Sequence, residues 1–245
     1  MTVVVKLGGS VVTDKSAPET VAEDVLADLA AAIGDADLSD LVVVHGAGSF
    51  GHPVAAEHGA SSTAGTRDPA AVRDISGVME RLNDAVVGAL ADAGVPAVPV
   101  HPCSASHRTE DGTLQFPTDA LEAMLGEGFV PVLHGDVITH AGEGATILSG
   151  DEIVTHVADD FDADRVGICS TVPGVFDEDG DVVPEITDYD DVAAALGESA
   201  ATDVTGGMAA KVRALLDLGA PAFVFGPDAL AAFLAGEDAG TRIEG

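Results

Sequence analysis

Two hydrophobic rhythms alternate along the chain. Short apolar runs stand at Thr2–Leu7 (TVVVKL), 41–45 (LVVVH), 97–100, 129–133 (FVPVL), Arg165–Cys169 and Ala222–Phe225. Runs of this length, bounded by turn residues, read as buried strands. Between them apolar residues recur at helical spacing. Val21, Val25, Leu29 and Ile33 follow one another at i+4, and Gly34 closes the segment. Ser16-Ala17-Pro18-Glu19 has capping-box spacing, which places the start of that helix there. Asp68-Pro69 opens a longer helix, with Val72, Ile75, Met79, Leu82, Val86 and Leu90 on one face and Gly94 at its end.

The remaining segments follow the same logic. A short helix is expected from Pro53 and another over 118–125. The segments 137–140 and 145–148 form a hairpin around Gly142-Glu143-Gly144. Ser149-Gly150-Asp151 leads a helix to about residue 161, and Thr205-Gly206-Gly207 opens one that runs to Leu218. An edge strand at 182–186, a helix from Pro227 and a strand at Thr241–Ile243 complete the chain. The acid-rich stretch 176–189 is expected to be a surface hairpin loop. Alternation of apolar strands with amphipathic helices gives an α/β fold with a mainly parallel sheet covered on both faces.

Composition narrows the setting. The 245 residues are 47% hydrophobic, enough for a sizeable core. No apolar run reaches a membrane-spanning length, and the N-terminus does not have the pattern of a signal peptide. Cys103 and Cys169 match no disulfide framework or metal spacing, so a reducing cytoplasm is expected. The chain carries 42 acidic and 10 basic residues, a net charge of −32. That charge disfavours nucleic acid and anionic membranes as partners. Its even spread resembles proteins adapted to high internal salt, where screening removes self-repulsion.

Against this acidity only three lysines remain, Lys6, Lys15 and Lys211. Lys6 precedes Gly8-Gly9-Ser10 and Lys211 follows Gly207, so two of the three accompany glycine pairs. Glycine turns at strand ends bring backbone N–H groups close to an anion, and lysine supplies a point charge beside them. The run 46–51 also fits G-x-G-x-x-G. As a dinucleotide fingerprint it needs a following strand that ends in an acid, and 60–66 (ASSTAGT) is not one. There is no P-loop sequence. Two anion-binding loops, lysines between them and Asp151 at a helix start outline phosphoryl transfer. His45, His52 and His58 lack the spacing of a zinc site.

Five motifs occur in order: VVVKLGGS, VVVHGAGSFGH, PVLHGDV, ILSGDEI and TGGMAAKV. Together they resemble the amino acid kinase family across essentially the whole chain. HGAGSFGH with ILSGD is most similar to its archaeal members that phosphorylate isopentenyl phosphate to isopentenyl diphosphate. The resemblance implies a three-layer αβα sandwich with a mainly parallel eight-stranded sheet, and a homodimer. It further implies a single domain over 1–245, with an acceptor-binding N-terminal part and a nucleotide-binding C-terminal part. ATP is the implied donor, with Mg²⁺ carried on its phosphates rather than by the protein.

By the same resemblance Lys6, Gly8, Gly9 and Ser10 hold ATP phosphates, and Lys15 stabilises the transferring group. Ala47, Gly48 and His52 form the second loop, where His52 contacts the acceptor phosphate and Gly48 also meets ATP. Gly150 lies near that phosphate, Asp151 organises the lysines, and Gly207 and Lys211 bind nucleotide. One departure stands out: 170–175 (STVPGV) has no acid before its Gly-Val pair, where relatives often carry one for the nucleotide. An acceptor that already bears a phosphate brings its own nucleophile, so His52 is expected to act as a donor rather than a base. Val54, Ile75, Val78, Met79 and Leu82 are candidates to line an apolar acceptor pocket, although a helix stripe of this kind usually packs inward. A relative with another small phosphorylated or phosphonate acceptor, or a nucleotide-binding protein without turnover, is the alternative on the same fold.

Overall fold

The computed structural model describes residues 1–36, 38–199 and 207–245. Among these residues twelve strands run in chain order. They are β1 (Thr2–Leu7), β2 (Asp40–His45), β3 (Ala97–Pro99), β4 (His107–Arg108), β5 (Leu114–Gln115), β6 (Val130–His134), β7 (Asp136–His140), β8 (Gly144–Leu148), β9 (Arg165–Cys169), β10 (Glu185–Ile186), β11 (Ala222–Phe225) and β12 (Thr241–Ile243). The helices are α1 (Gly9–Val12), α2 (Glu23–Gly34), α3 (Gly48–Glu57), α4 (Pro69–Asp92), α5 (Pro102–Ala105), α6 (Asp119–Gly126), α7 (Gly150–Asp160), α8 (Ala193–Ser199), α9 (Gly207–Leu216) and α10 (Leu230–Leu234).

The main sheet has eight strands in the order β10-β12-β11-β9-β1-β2-β6-β3. Its pairs are parallel except β11 with β12. The central strands are apolar throughout because both faces are covered. Side chains alternate across the sheet. Val3, Val5 and Leu7 of β1 join α2, α4 and α10 in one core. Val4 joins α6, α7 and α9 in the other. These are the three layers expected. Lys6 shares the phase of Val4, so it lies on the α7 face at the strand's C-terminal end.

The hairpin around residues 142–144 is present, but it belongs to a separate four-stranded sheet, β5-β4-β7-β8. The two short strands β4 and β5 that extend it carry no apolar run. The acidic loop is also a hairpin, closed by a bridge from Phe176 to Val182.

Three helix boundaries differ from the sequence reading. Residues 16–19 do not cap α2, which starts at Glu23. The chain first makes a bridge between Thr13 and Val21, and Glu19 takes a positive φ of 48°. The Glu19 N–H donates to the Ser49 carbonyl, so its capping role is forfeited to a tertiary contact. Helix α3 begins at Gly48, five residues ahead of Pro53, which sits inside it. The helix expected from Thr205 starts at Gly207 and ends at Leu216, with Thr205 and Gly206 outside the described residues.

Gly34 ends α2 as expected, yet not through a left-handed cap. A Cβ on Gly34 would lie 2.5 Å from the Ala93 carbonyl oxygen, so glycine is there to let two helix ends touch. This reverses the usual sign of a helix substitution. Gly to Ala in an open helix stabilises by about 1 kcal/mol. Gly34→Ala is expected instead to cost about 1–3 kcal/mol through overpacking. Denaturant midpoints in molar KCl check it, and a stabilised variant would contradict the contact.

Candidate active site

Glycine loops leave the C-terminal ends of β1 and β2, neighbours in the sheet. Gly8-Gly9 follows β1 and enters α1; Gly46-Ala47-Gly48 follows β2 and enters α3. The loops touch backbone to backbone. A Cβ on Gly9 would lie 2.2 Å from the Gly48 nitrogen, and one on Gly46 would lie 2.6 Å from the Gly9 nitrogen. At Gly48, with φ +49°, it would lie 2.0 Å from Thr13 Oγ1. No side chain fits at these positions. Thr13 fixes the contact, since its hydroxyl donates to the Gly9 carbonyl and accepts from the Ser49 N–H.

Lys6 reaches the same edge from the α7 face. Its Nζ lies 2.7 Å from Asp151 Oδ1, and Lys211 Nζ from α9 lies 3.7 Å from Asp151 Oδ2. Asp151 stands in the first turn of α7 behind its N-cap Ser149, whose Oγ accepts the Glu152 N–H. Gly150 makes room for this: a Cβ there would lie 3.2 Å from both the His45 carbonyl oxygen and Lys6 Cε. Lys6 is only 6% exposed. Burial lowers its pKa, against the opposing pull of Asp151. Burial raises that of Asp151, but the Lys6 and Lys211 charges outweigh it and leave the carboxyl below its ordinary value. Two cations on one carboxylate leave net positive charge at the strand edge, suited to an anion.

The structure therefore brings together Lys6, Gly8, Gly9, Ala47, Gly48, Gly150, Asp151 and Lys211, drawn from four separate parts of the chain. Ser10 lies in α1 and Gly207, with φ +59°, begins α9. Lys15 is exposed in the loop between Thr13 and Val21. Among the described residues, the ion pairs of Asp151 are to Lys6 and Lys211. His52 is exposed on α3, one turn beyond Gly48. Ile75, Val78, Met79 and Leu82 are buried in the cores, which is the inward packing of an ordinary helix stripe. Val54 is half-buried. With Val78 it floors a groove of about 500 Å³ between the 14–20 loop, α3 and α4, rimmed by Glu19, His58, Arg73 and Arg81. That rim is charged, and neither Lys6 nor Asp151 lines the groove.

Sequence reasoning missed several groups. His45 and His134 are buried at the ends of β2 and β6, with rings 5.6 Å apart. Asp136 is buried as well, and burial pushes its pKa up to about 6. Arg108 of β4 forms a two-pronged pair with Glu152, at 2.5 and 2.7 Å, next to Asp151. The repeated His-Gly step at strand ends was an available signal for the histidines. Arg108 had none, because nothing local marks its partner 44 residues away.

The 46–51 run enters α3 and then α4, with no strand before Ala97, so the dinucleotide fingerprint is incomplete. Among the described residues, no group of three or more His, Cys, Asp or Glu side chains could hold a metal ion.

A mainly parallel αβα sandwich with a lysine–carboxylate cluster at paired glycine loops defines a phosphate-handling α/β protein. The chain belongs to the amino acid kinase family, which it matches over residues 1–221. It is 64% identical to isopentenyl phosphate kinase of Haloferax volcanii over 244 residues, 99% of this chain and 98% of that protein. Identity to isopentenyl phosphate kinase of Methanothermobacter thermautotrophicus is 34%, covering 87% of this chain and 85% of the relative. A crystallographic isopentenyl phosphate kinase superimposes with a TM-score of 0.85 at 28% identity, covering 99% and 100% of the two chains.

The Lys6–Asp151 pair has a calculable pH signature. Asp151→Asn leaves Lys6 buried without a full counter-charge, at an expected cost of about 1–3 kcal/mol at pH 7. A depressed carboxylate stabilises above its unfolded pKa, here 3.8, and that contribution is lost as pH falls through the lower folded value. Unfolding midpoints of wild type and variant should therefore converge as pH falls below 3.8. A gap that stays constant with pH would sink the assignment.

Proposed function

We propose that the chain transfers the γ-phosphoryl group of ATP to isopentenyl phosphate, giving isopentenyl diphosphate and ADP. The observation that carries this reading is the Lys6–Asp151–Lys211 cluster beside two abutting glycine loops. The isopentenyl phosphate kinases to which the chain is similar support the choice of acceptor.

An oxygen of the acceptor phosphate attacks the γ-phosphorus, and the bond to the bridging oxygen breaks to release ADP. The acceptor is already an anion, so no general base is required. What the protein supplies is position and positive charge. The Gly8-Gly9-Ser10 loop and Lys6 hold the nucleotide phosphates, joined by Gly48, and by Gly207 and Lys211 from α9. Asp151 keeps Lys6 and Lys211 close enough to meet one phosphoryl group. Lys15 completes the charge from the 14–20 loop. Ala47, Gly48, Gly150 and His52 hold the acceptor phosphate, with His52 donating a hydrogen bond. The acceptor part is thus N-terminal and the nucleotide part C-terminal within one domain.

Mg²⁺ carried on the nucleotide phosphates would draw charge from the transferring group. A homodimer in the cytoplasm completes the reading. Among the described residues, no helix is long and apolar enough to cross a membrane. The acidic surface fits work in concentrated salt, as does the likeness to a Haloferax volcanii protein.

ADP release in molar KCl with Mg-ATP tests the reading across isopentenyl phosphate, dimethylallyl phosphate, fosfomycin, N-acetylglutamate, UMP and carbamate. Turnover is expected with isopentenyl phosphate. Activity confined to another acceptor would overturn the substrate, and ATP binding without turnover would overturn the enzyme. His52→Ala is expected to lower turnover about 100-fold with the thermal melt unchanged. Near-normal activity in that variant would remove His52 from the mechanism.

A further inference from the structure

We propose that His45 and His134 are neutral positioning residues that turn the Gly46 and Gly135 carbonyls away from the phosphate-binding edge. The inference rests on the kinase reading above. The two histidines end β2 and β6, and they are direct partners in the parallel register. Each is followed by glycine, and each ring bends back onto that glycine's carbonyl. His45 Nδ1 lies 3.2 Å from Gly46 O, and His134 Nδ1 lies 3.0 Å from Gly135 O. Both rings are fully buried.

A carbonyl oxygen only accepts, so both Nδ1 atoms carry the proton. Burial lowers the pKa of His45 to about 4 and of His134 to about 3, so both rings are neutral at pH 7. Each Nε2 is then an acceptor and needs a donor opposite. His101 Nδ1 lies 3.0 Å from His134 Nε2 and supplies one. The Asn83 amide lies 3.0 Å from His45 Nε2 through its oxygen, while its buried nitrogen has no partner among the described residues. Turned end for end, a change of little steric consequence, the same amide donates to His45. Asp136 Oδ2 lies 4.0 Å from His134 Nδ1, beyond hydrogen-bond distance, and accepts from the Cys103 N–H instead.

The placement explains why this matters. His45 and His134 have the phase of Val43 and Val132, on the α4 face, whereas Lys6 arrives from the α7 face. Gly46 opens the second loop. The Gly135 N–H donates to the His45 carbonyl, and a Cβ on Gly135 would lie 3.2 Å from the Gly150 nitrogen. The two peptide planes therefore border the edge where Lys6, Gly150 and the glycine loops meet. A carbonyl released from its imidazole and turned outward would set a negative dipole against the phosphate. Holding it in the buried layer leaves N–H groups and lysines to face the anion.

The test is ¹⁵N spectroscopy of histidine-labelled full-length protein in molar KCl, with His45→Gln and His134→Gln identifying the signals. Two rings with the proton on Nδ1, unchanged from pH 8 to pH 5, are expected. The Nε2–H form at either ring, or titration of either near pH 6.5, overturns the proposal. Kinetics give a second arm. His45→Leu is expected to raise KM for isopentenyl phosphate about tenfold, the loss of one hydrogen bond's worth of positioning. His45→Gln, which keeps an N–H donor, should return KM to within about threefold of wild type. Equal KM values in the two variants would leave only a packing role and overturn it. Wild-type protein inactive on isopentenyl phosphate would instead refute the kinase reading, and the ring tautomers would still decide the histidine assignment.

Discussion

Everything at this site depends on two backbones touching where side chains would keep them apart. β1 and β2 are adjacent parallel strands, and the chain must leave both at the same edge. With Gly9 2.2 Å from the Gly48 nitrogen by its missing Cβ, the two exits become one surface. Thr13 and Ser49 lock it with hydrogen bonds. Any larger residue would part the loops and separate the two strand exits. The glycines are thus a steric requirement of the site and not a source of mobility.

Charge is then placed with economy. A protein of net charge −32 would repel nucleotide and acceptor alike unless positive charge were concentrated locally. Lys6 arrives by strand register and Lys211 by a helix from the far end of the chain, and Asp151 collects both. Burial lowers the Lys6 pKa, and the shared carboxylate of Asp151 pulls it back up. Arg108 pairs with Glu152, so the turn that carries Asp151 is held from the small sheet as well.

The two faces of the sheet divide the work. From the α7 face come the lysines and their carboxylate. From the α4 face come the buried histidines, hydrogen-bonded to the glycine carbonyls and to Asn83 and His101. One face presents charge to the edge, and the other holds the backbone that forms it.

Much of this was legible in the residues. Strands at Arg165–Cys169 and Ala222–Phe225 lie where the apolar runs place them, and Asp68 caps α4 through the Ala70 N–H. Apolar periodicity and local capping are properties of neighbouring residues, so they can be read along the chain. The glycine loops, the scarcity of lysine and the resemblance of five motifs pointed to Lys6, Asp151 and Lys211. Other features depended on distant partners. Glu19 lost its expected capping role to Ser49, and Gly34 serves a contact with Ala93 rather than a turn. His45, His134 and Arg108 acquired their roles only by burial against groups 33 to 44 residues away. The sequence by itself determined most strands of the main sheet, the longer helices and the chemistry available at their ends. Which of those groups are dry, paired or neutral was decided by the tertiary structure, because desolvation and close approach are set by what the fold brings alongside.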